Sequence, residues 1–130
     1  MDKSLIINHW KELPLVYISG LYSVGSVKHN IKNARRAAIE LWERRFAVHC
    51  PHLNTAHFEQ DCKAAYEDYL RGDLKIISRC DVILMIGEWR RSPGARTERE
   101  FALNHGIRVF YNMADLITWR RHAWSKARPK

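Results

Sequence analysis

Residues 81–105 read DVILMIGEWRRSPGARTEREFALNH. Positions 82–86 form an apolar run, too short for a helix of its own and followed by Gly87, which predicts a buried strand. Ser92, Pro93 and Gly94 make a loop. Apolar residues then recur at helical spacing through positions 95–105. A strand that empties through a loop into a helix aims backbone N–H groups and the positive helix end at the space above the strand.

The same alternation extends in both directions. Residues 15–19 are a β-rich run closed by Gly20. Residues 27–45 carry Val27, Ile31, Ala34, Ala38, Leu41 and Trp42 on one helical face. Residues 46–50 predict a second strand, ended by Pro51, and PHLNTAHFEQ (51–60) a loop. Residues 62–79 predict an amphipathic helix. Gly106 suits the end of the 95–105 helix, residues 107–111 a further strand, and 115–127 a last helix. Short strands alternating with helices predict an α/β fold: a doubly wound, Rossmann-like or flavodoxin-like parallel sheet of four to five strands with helices on both faces. Such sheets bind ligands at the carboxyl ends of their strands. Neither a repeat nor a linker divides the chain, so residues 1–130 are expected to form one domain, with its core at 14–112 and a basic C-terminal segment at 115–130.

Composition narrows the function classes. The 130 residues are 46% hydrophobic and 28% charged, a globular balance. No apolar run approaches the ~20 residues that span a bilayer, and MDKSLIINHW lacks the parts of a signal peptide. Cys50, Cys62 and Cys80 form no CxxC pair and fit reduced thiols. The expected location is therefore cytoplasmic, without a membrane partner. The net charge of +8 invites an anionic partner. Much of it lies in WRRHAWSKARPK (119–130), which shows no DNA-reading motif and is better read as a solubilising end, so nucleic acid ranks last among partners.

Two carboxylates interrupt the apolar stripes. The stripe of the 62–79 helix runs Tyr66, Tyr69, Asp73, Ile76, Cys80. That of the 95–105 helix runs Gly94 or Ala95, Glu98, Phe101 or Ala102, His105. A carboxylate on a core-facing stripe costs several kcal/mol unless it is paired or faces a polar cavity. Arg71, Arg96 and Arg99 are near enough in sequence to offer salt bridges. Two such acids in elements that meet at one strand end favour a shared site instead. The Ser92-x-Gly94 loop adds a hydroxyl and free amides at a helix start, an anion cradle. Gly20 lets backbone approach a ligand closely, or simply ends a strand. Trp89 either stacks on a base or covers the sheet end. His49, Cys50, His52 and His57 match no structural zinc spacing, so neither metal nor cofactor is expected. His52, just past a strand end, suits ligand contact or acid–base work.

Together these pieces resemble the nucleoside 2-deoxyribosyltransferase superfamily. The likeness rests on Tyr17-Ile-Ser-Gly20, Val48-x-x-x-His52, Asp73-Leu74 eight residues before Asp81-Val82, Ser92-x-Gly94-x-x-x-Glu98, and Gly106-Ile-x-Val109. It is nearest to the small uncharacterised phage and bacterial branch and to the 2'-deoxynucleoside 5'-monophosphate N-glycosidases. The resemblance implies cleavage of the N-glycosidic bond of a deoxynucleoside or its monophosphate, as hydrolase or transferase. It implies Glu98 as nucleophile, Asp73 assisting departure of the base, and Tyr17 holding Glu98. It also implies that Ser92 and the amides near Gly94 hold a 5'-phosphate, and that a homodimer or larger homo-oligomer completes the site, with Trp119 and Trp124 available for the interface. Where the monophosphate glycosidases carry a serine and an arginine, this chain has Leu21 and Ser23, so phosphate recognition either is lost or is taken over by Arg90, Arg91 or Arg96. The substrate-binding set is then Gly20, Ser23, His52, Trp89, Ser92, Gly94 and Arg96. The alternative is a non-catalytic module that binds a nucleotide or an ADP-ribose-like ligand in the same pocket.

Overall fold

The computed structural model describes residues 2–124. Four strands form one fully parallel sheet: β1 (Leu15–Ser19), β2 (Ala47–His49), β3 (Val82–Met85) and β4 (Arg108–Phe110), in the order β2-β1-β3-β4. Register sets Tyr17 beside His49 on one side and Ile83 on the other, and Ser19 beside Met85. Helices α2 (Val27–Glu43), α4 (Tyr66–Ile77) and α5 (Pro93–Asn104) connect the strands. The chain winds outward from β1 to β2 and then returns past β1 to β3, which leaves a crevice where β1 and β3 end together.

Side-chain alternation along β1 divides the interior into two layers. Val16 and Ile18 join Ala34, Ala38 and Leu41 of α2, with Phe46, Phe110 and Leu116. Tyr17 faces the other way, among Ile77, Ile83, Met85, Ala95 and Ala102 beneath α4 and α5. All four residues of β3 are buried, as a strand covered on both faces requires. The α2 stripe 34-38-41 follows helical spacing, and burying a leucine such as Leu41 contributes about 2 kcal/mol. Ser26 and Ser92 accept the N–H groups of His29 and Ala95 and so start α2 and α5. Pro93 occupies the first turn of α5, and Gly106 at φ 72° follows its end in the left-handed conformation.

The structure also differs from the sequence-based expectations. A short helix α1 (Lys3–Asn8) precedes the sheet with no buried residue. The 51–60 loop contains a one-turn helix α3 (Pro51–Asn54) and a 3₁₀ turn at Phe58–Gln60. The last helix α6 (Met113–Trp119) passes into a π-helical turn at Arg120–Trp124. Trp119 and Trp124 are not free for an interface. The Trp119 ring packs between Phe110 and Trp124, Trp124 is buried, and its Nε1–H donates to the Glu12 carbonyl at 2.9 Å. The rest of the predicted 115–127 helix and basic tail, residues 125–130, lies outside the described residues. No described helix is long and apolar enough to cross a membrane.

Candidate functional site

Glu98 sits in the second turn of α5, on the face that packs against the sheet, and is only 6% exposed. Two hydroxyls from β1 reach it. Tyr17 Oη–H donates to Glu98 Oε2 and Ser19 Oγ–H to Oε1, each at 2.7 Å. Both donors follow from β1's twofold periodicity, which puts positions 17 and 19 on one face. The sequence reading missed Ser19 because serine ends strands so often, although its spacing from Tyr17 was the available signal.

Asp73 approaches from α4, within hydrogen-bonding reach of both Glu98 and Tyr17. Burial raises both carboxyls, Glu98 to about 7 and Asp73 to about 6. Asp73 opposes ionisation of Glu98, while the hydroxyl donors favour the Glu98 anion and hydrogen bonding to Glu98 and Tyr17 favours the Asp73 anion. The two acids therefore titrate as one unit that shares a proton near neutral pH. Burial first, then the neighbouring Glu98 charge, holds the Tyr17 phenol well above its ordinary range, so it remains a neutral donor.

The arginine partners are absent. Arg71 pairs with Asp68, Arg96 donates to the Arg90 carbonyl, and Arg99 donates to Tyr111 Oη at 2.8 Å. Both acids instead line a cavity of about 340 Å³ at the carboxyl end of the sheet. Its walls include Tyr22, His52, Glu59, Tyr66, Tyr69 and Leu70, and among the described residues it has neither lysine nor arginine. Tyr66 and Tyr69, expected in the core, face this cavity. The core stripe of α4 is Leu74, Ile76 and Ile77, continued by Cys80 just past its end, and Tyr66 is 58% exposed. His105 is likewise exposed, stacked on Phe101.

The structure brings Gly20, Ser23, His52, Ser92 and Gly94 to the cavity wall. Gly20 is required there by packing: a Cβ would lie 2.7 Å from Ile86 Cγ1 and 3.1 Å from the Ile86 carbonyl. Ser92 spends its oxygen on capping α5. His52 is buried, with Nε2 2.7 Å from the Leu21 carbonyl and Nδ1 toward Cys50 Sγ. Burial lowers its pKa. The ring braces the β1–α2 loop from the cavity wall. Two expected contacts lie elsewhere. Trp89 is buried beneath α5, flanked by Tyr111, Arg90 and Arg99, because an indole at the sheet end gains more from that packing than from solvent. Arg96 points away along α5 toward the Arg90 carbonyl. Arg91 pairs with Glu88 and lines a second cavity, also about 340 Å³, across the β1–α2 loop. Among the described residues no group of three or more His, Cys, Asp or Glu could hold a metal ion.

Residues 14–111 match the family model described as a domain of unknown function, DUF4406, and the chain belongs to that family. No curated protein matches it. Among solved structures it is similar to a 2-deoxyribosyltransferase from the psychrotolerant bacterium Bacillus psychrosaccharolyticus, described as a biocatalyst for nucleoside synthesis. The TM-score is 0.54 at 17% identity, over 86% of this chain and 88% of that one. That likeness is one of fold.

Proposed function

We propose that this member of the DUF4406 family cleaves the N-glycosidic bond of a deoxynucleoside, with Glu98 as nucleophile. The observation that carries the reading is a buried Glu98 with a half-buried Asp73 beside it, free of arginine and opening on a nucleoside-sized cavity. A buried acid beside a half-buried one, without cations, costs stability that a purely structural role would not sustain. A module that only binds would gain nothing from them. The fold it has in common with a 2-deoxyribosyltransferase supports the same choice of chemistry.

In this reading, Glu98 Oε attacks the anomeric carbon as the carbon–nitrogen bond breaks. The bond's electron pair passes to the base, which takes the shared proton from Asp73. Tyr17 and Ser19 hold the attacking carboxylate and keep its charge in place. Water, or a second base, then attacks the same carbon, Asp73 accepts the incoming proton, and the ester to Glu98 breaks. An unphosphorylated substrate fits best. Leu21 and Ser23 stand in the loop after β1, Arg96 points elsewhere, and a 5'-phosphate would meet Glu59, Asp73 and Glu98 without a cation among the described lining residues. The Gly94 amide and Ser92 would contact the sugar hydroxyls. A homo-oligomer is part of the proposal, checked by sedimentation.

The test is chromatographic. Wild-type protein should release free base from at least one deoxynucleoside in a panel of nucleosides and monophosphates. Glu98→Ala should lose that release by a factor of about 10³ or more while keeping its circular dichroism spectrum. Release from monophosphates alone would refute the phosphate argument, and no release from any member would refute the reaction.

A further inference from the structure

The cavity wall carries a charge arrangement that base cleavage does not use. The connection from β2 to α4 lies largely exposed, and Tyr22 from the β1–α2 loop ties it down. The His57 backbone N–H donates to Tyr22 Oη at 2.8 Å, and that hydroxyl donates to the Glu59 carboxylate at 2.9 Å, with the second oxygen at 3.1 Å. His57 itself adopts φ 62°, a left-handed conformation uncommon outside glycine, at the turn that delivers Glu59. The Tyr22 ring stands edge-on to His52 at 6.1 Å, so the latch rests on a buried support.

Tyr22 has one proton to give. A carboxylate has about four lone-pair sites, so Glu59 keeps most of its accepting capacity. No lysine, arginine or histidine forms an ion pair with it among the described residues. Beside it on the cavity wall stands Tyr69, whose hydroxyl is buried and lacks a hydrogen bond of ordinary geometry, with the Cys62 thiol for a neighbour. The Tyr69 phenol stays protonated, being pushed up to about 12 by the Cys62 thiol and by burial, with Glu59 adding to the shift. The rim thus presents a fixed acceptor, Glu59, next to a hydroxyl in need of an acceptor.

We infer that Glu59 and Tyr69 read the edge of the base, and that the site selects bases carrying an amino group beside an unprotonated ring nitrogen. The amino group donates to Glu59 and the ring nitrogen accepts from Tyr69. Tyr22 is the positioning residue that aims Glu59. A base with a carbonyl beside a ring N–H presents the reverse pattern, and its oxygen would face the Glu59 carboxylate. Sites that hydrogen-bond a specific polar edge discriminate against the reverse edge, because a bound base covers Glu59 and the buried Tyr69 hydroxyl and leaves both unmatched. This inference rests on the proposed nucleoside site but concerns recognition of the base, not the bond that breaks.

The experiment compares matched pairs that differ only at that edge, deoxyadenosine with deoxyinosine and deoxycytidine with deoxyuridine. The wild type should favour the amino member by about 100-fold in kcat/KM. Glu59→Gln, whose amide both donates and accepts, should bring the ratio to within a few-fold of one, chiefly by gaining the carbonyl substrates. Tyr22→Phe should raise KM for the amino member about 10-fold and leave kcat within a factor of two, as expected when a reading group loses its aim. Equal wild-type rates within a pair, or a ratio that Glu59→Gln leaves unchanged, would overturn the inference while base release still stands. Should no substrate turn over, the same four nucleosides are compared by the thermal stabilisation they give. Selective stabilisation by the amino members supports the inference without the chemistry, and equal stabilisation overturns it.

Discussion

Replacing Glu98 by glutamine should make the protein more stable, and only above mildly acidic pH. In the folded chain this carboxyl is raised from 4.5 to about 7, so over that range the native state holds a proton that the unfolded state releases. Its neutral form therefore supports folding fully below pH 4.5, and that support is lost as pH rises through about 7. Above that, the native state carries a buried anion. The span of about 2.5 units at 1.36 kcal/mol each amounts to roughly 3 kcal/mol, and at 6% exposure solvent screening removes little of it. Glutamine keeps the shape, and both hydroxyls can rotate to serve its amide. The assay is urea unfolding of wild type and Glu98→Gln from pH 4 to pH 8.5, with equal m-values as the control for a two-state comparison. The stability difference should grow by about 2–3 kcal/mol in favour of the variant between those limits, or roughly 8 °C in Tm near pH 8. A flat difference, or one that turns against the variant as pH rises, would show that Glu98 is not a strained acid, and the argument for its reactivity would fail with it.

Tyr17→Phe removes a donor that lowers the Glu98 pKa, so the acidic limb of the pH–rate profile should move to higher pH, with activity reduced at pH 6 more than at pH 8. Asp73→Asn has the opposite sign. It deletes a group that raises Glu98, so the acidic limb should shift to lower pH while the maximal rate falls about 10²-fold for want of the proton donor. Gly20→Ala should cost about 1–3 kcal/mol by denaturant titration, since the new methyl meets Ile86. Ser92→Ala should lose about 1 kcal/mol through the missing cap on α5, read in the same titration.

Strand and helix identity was legible because burial on both faces writes itself into runs such as 82–86, and because the 34-38-41 spacing admits one helical face. Glu98 was legible for the same reason: a charge on an apolar stripe contradicts its surroundings. Three things were not legible. The first turn of the α4 stripe was one of them: Ile76 and Cys80 do join the core, but Tyr66 and Tyr69 face the cavity, since they are as apolar as core residues and nothing local says that the space before them is empty. The fate of the arginines was also hidden. Whether Arg96 meets Glu98 or the Arg90 carbonyl depends on how α5 is rotated against the preceding turn, a tertiary fact that spacing cannot carry. Trp89 illustrates a third case, an amphipathic ring equally suited to a ligand and to Tyr111.

Ser19 and Tyr17 hang from a strand bonded on both sides, whereas Glu59 hangs from an exposed connection held by one phenol. Amide hydrogens of the first should exchange only with global opening, and those around the second far sooner. Substitutions in the outer connection then alter what enters the pocket with little penalty to folding. A lineage built on this frame is free to diversify its diet while its reactive centre stays frozen.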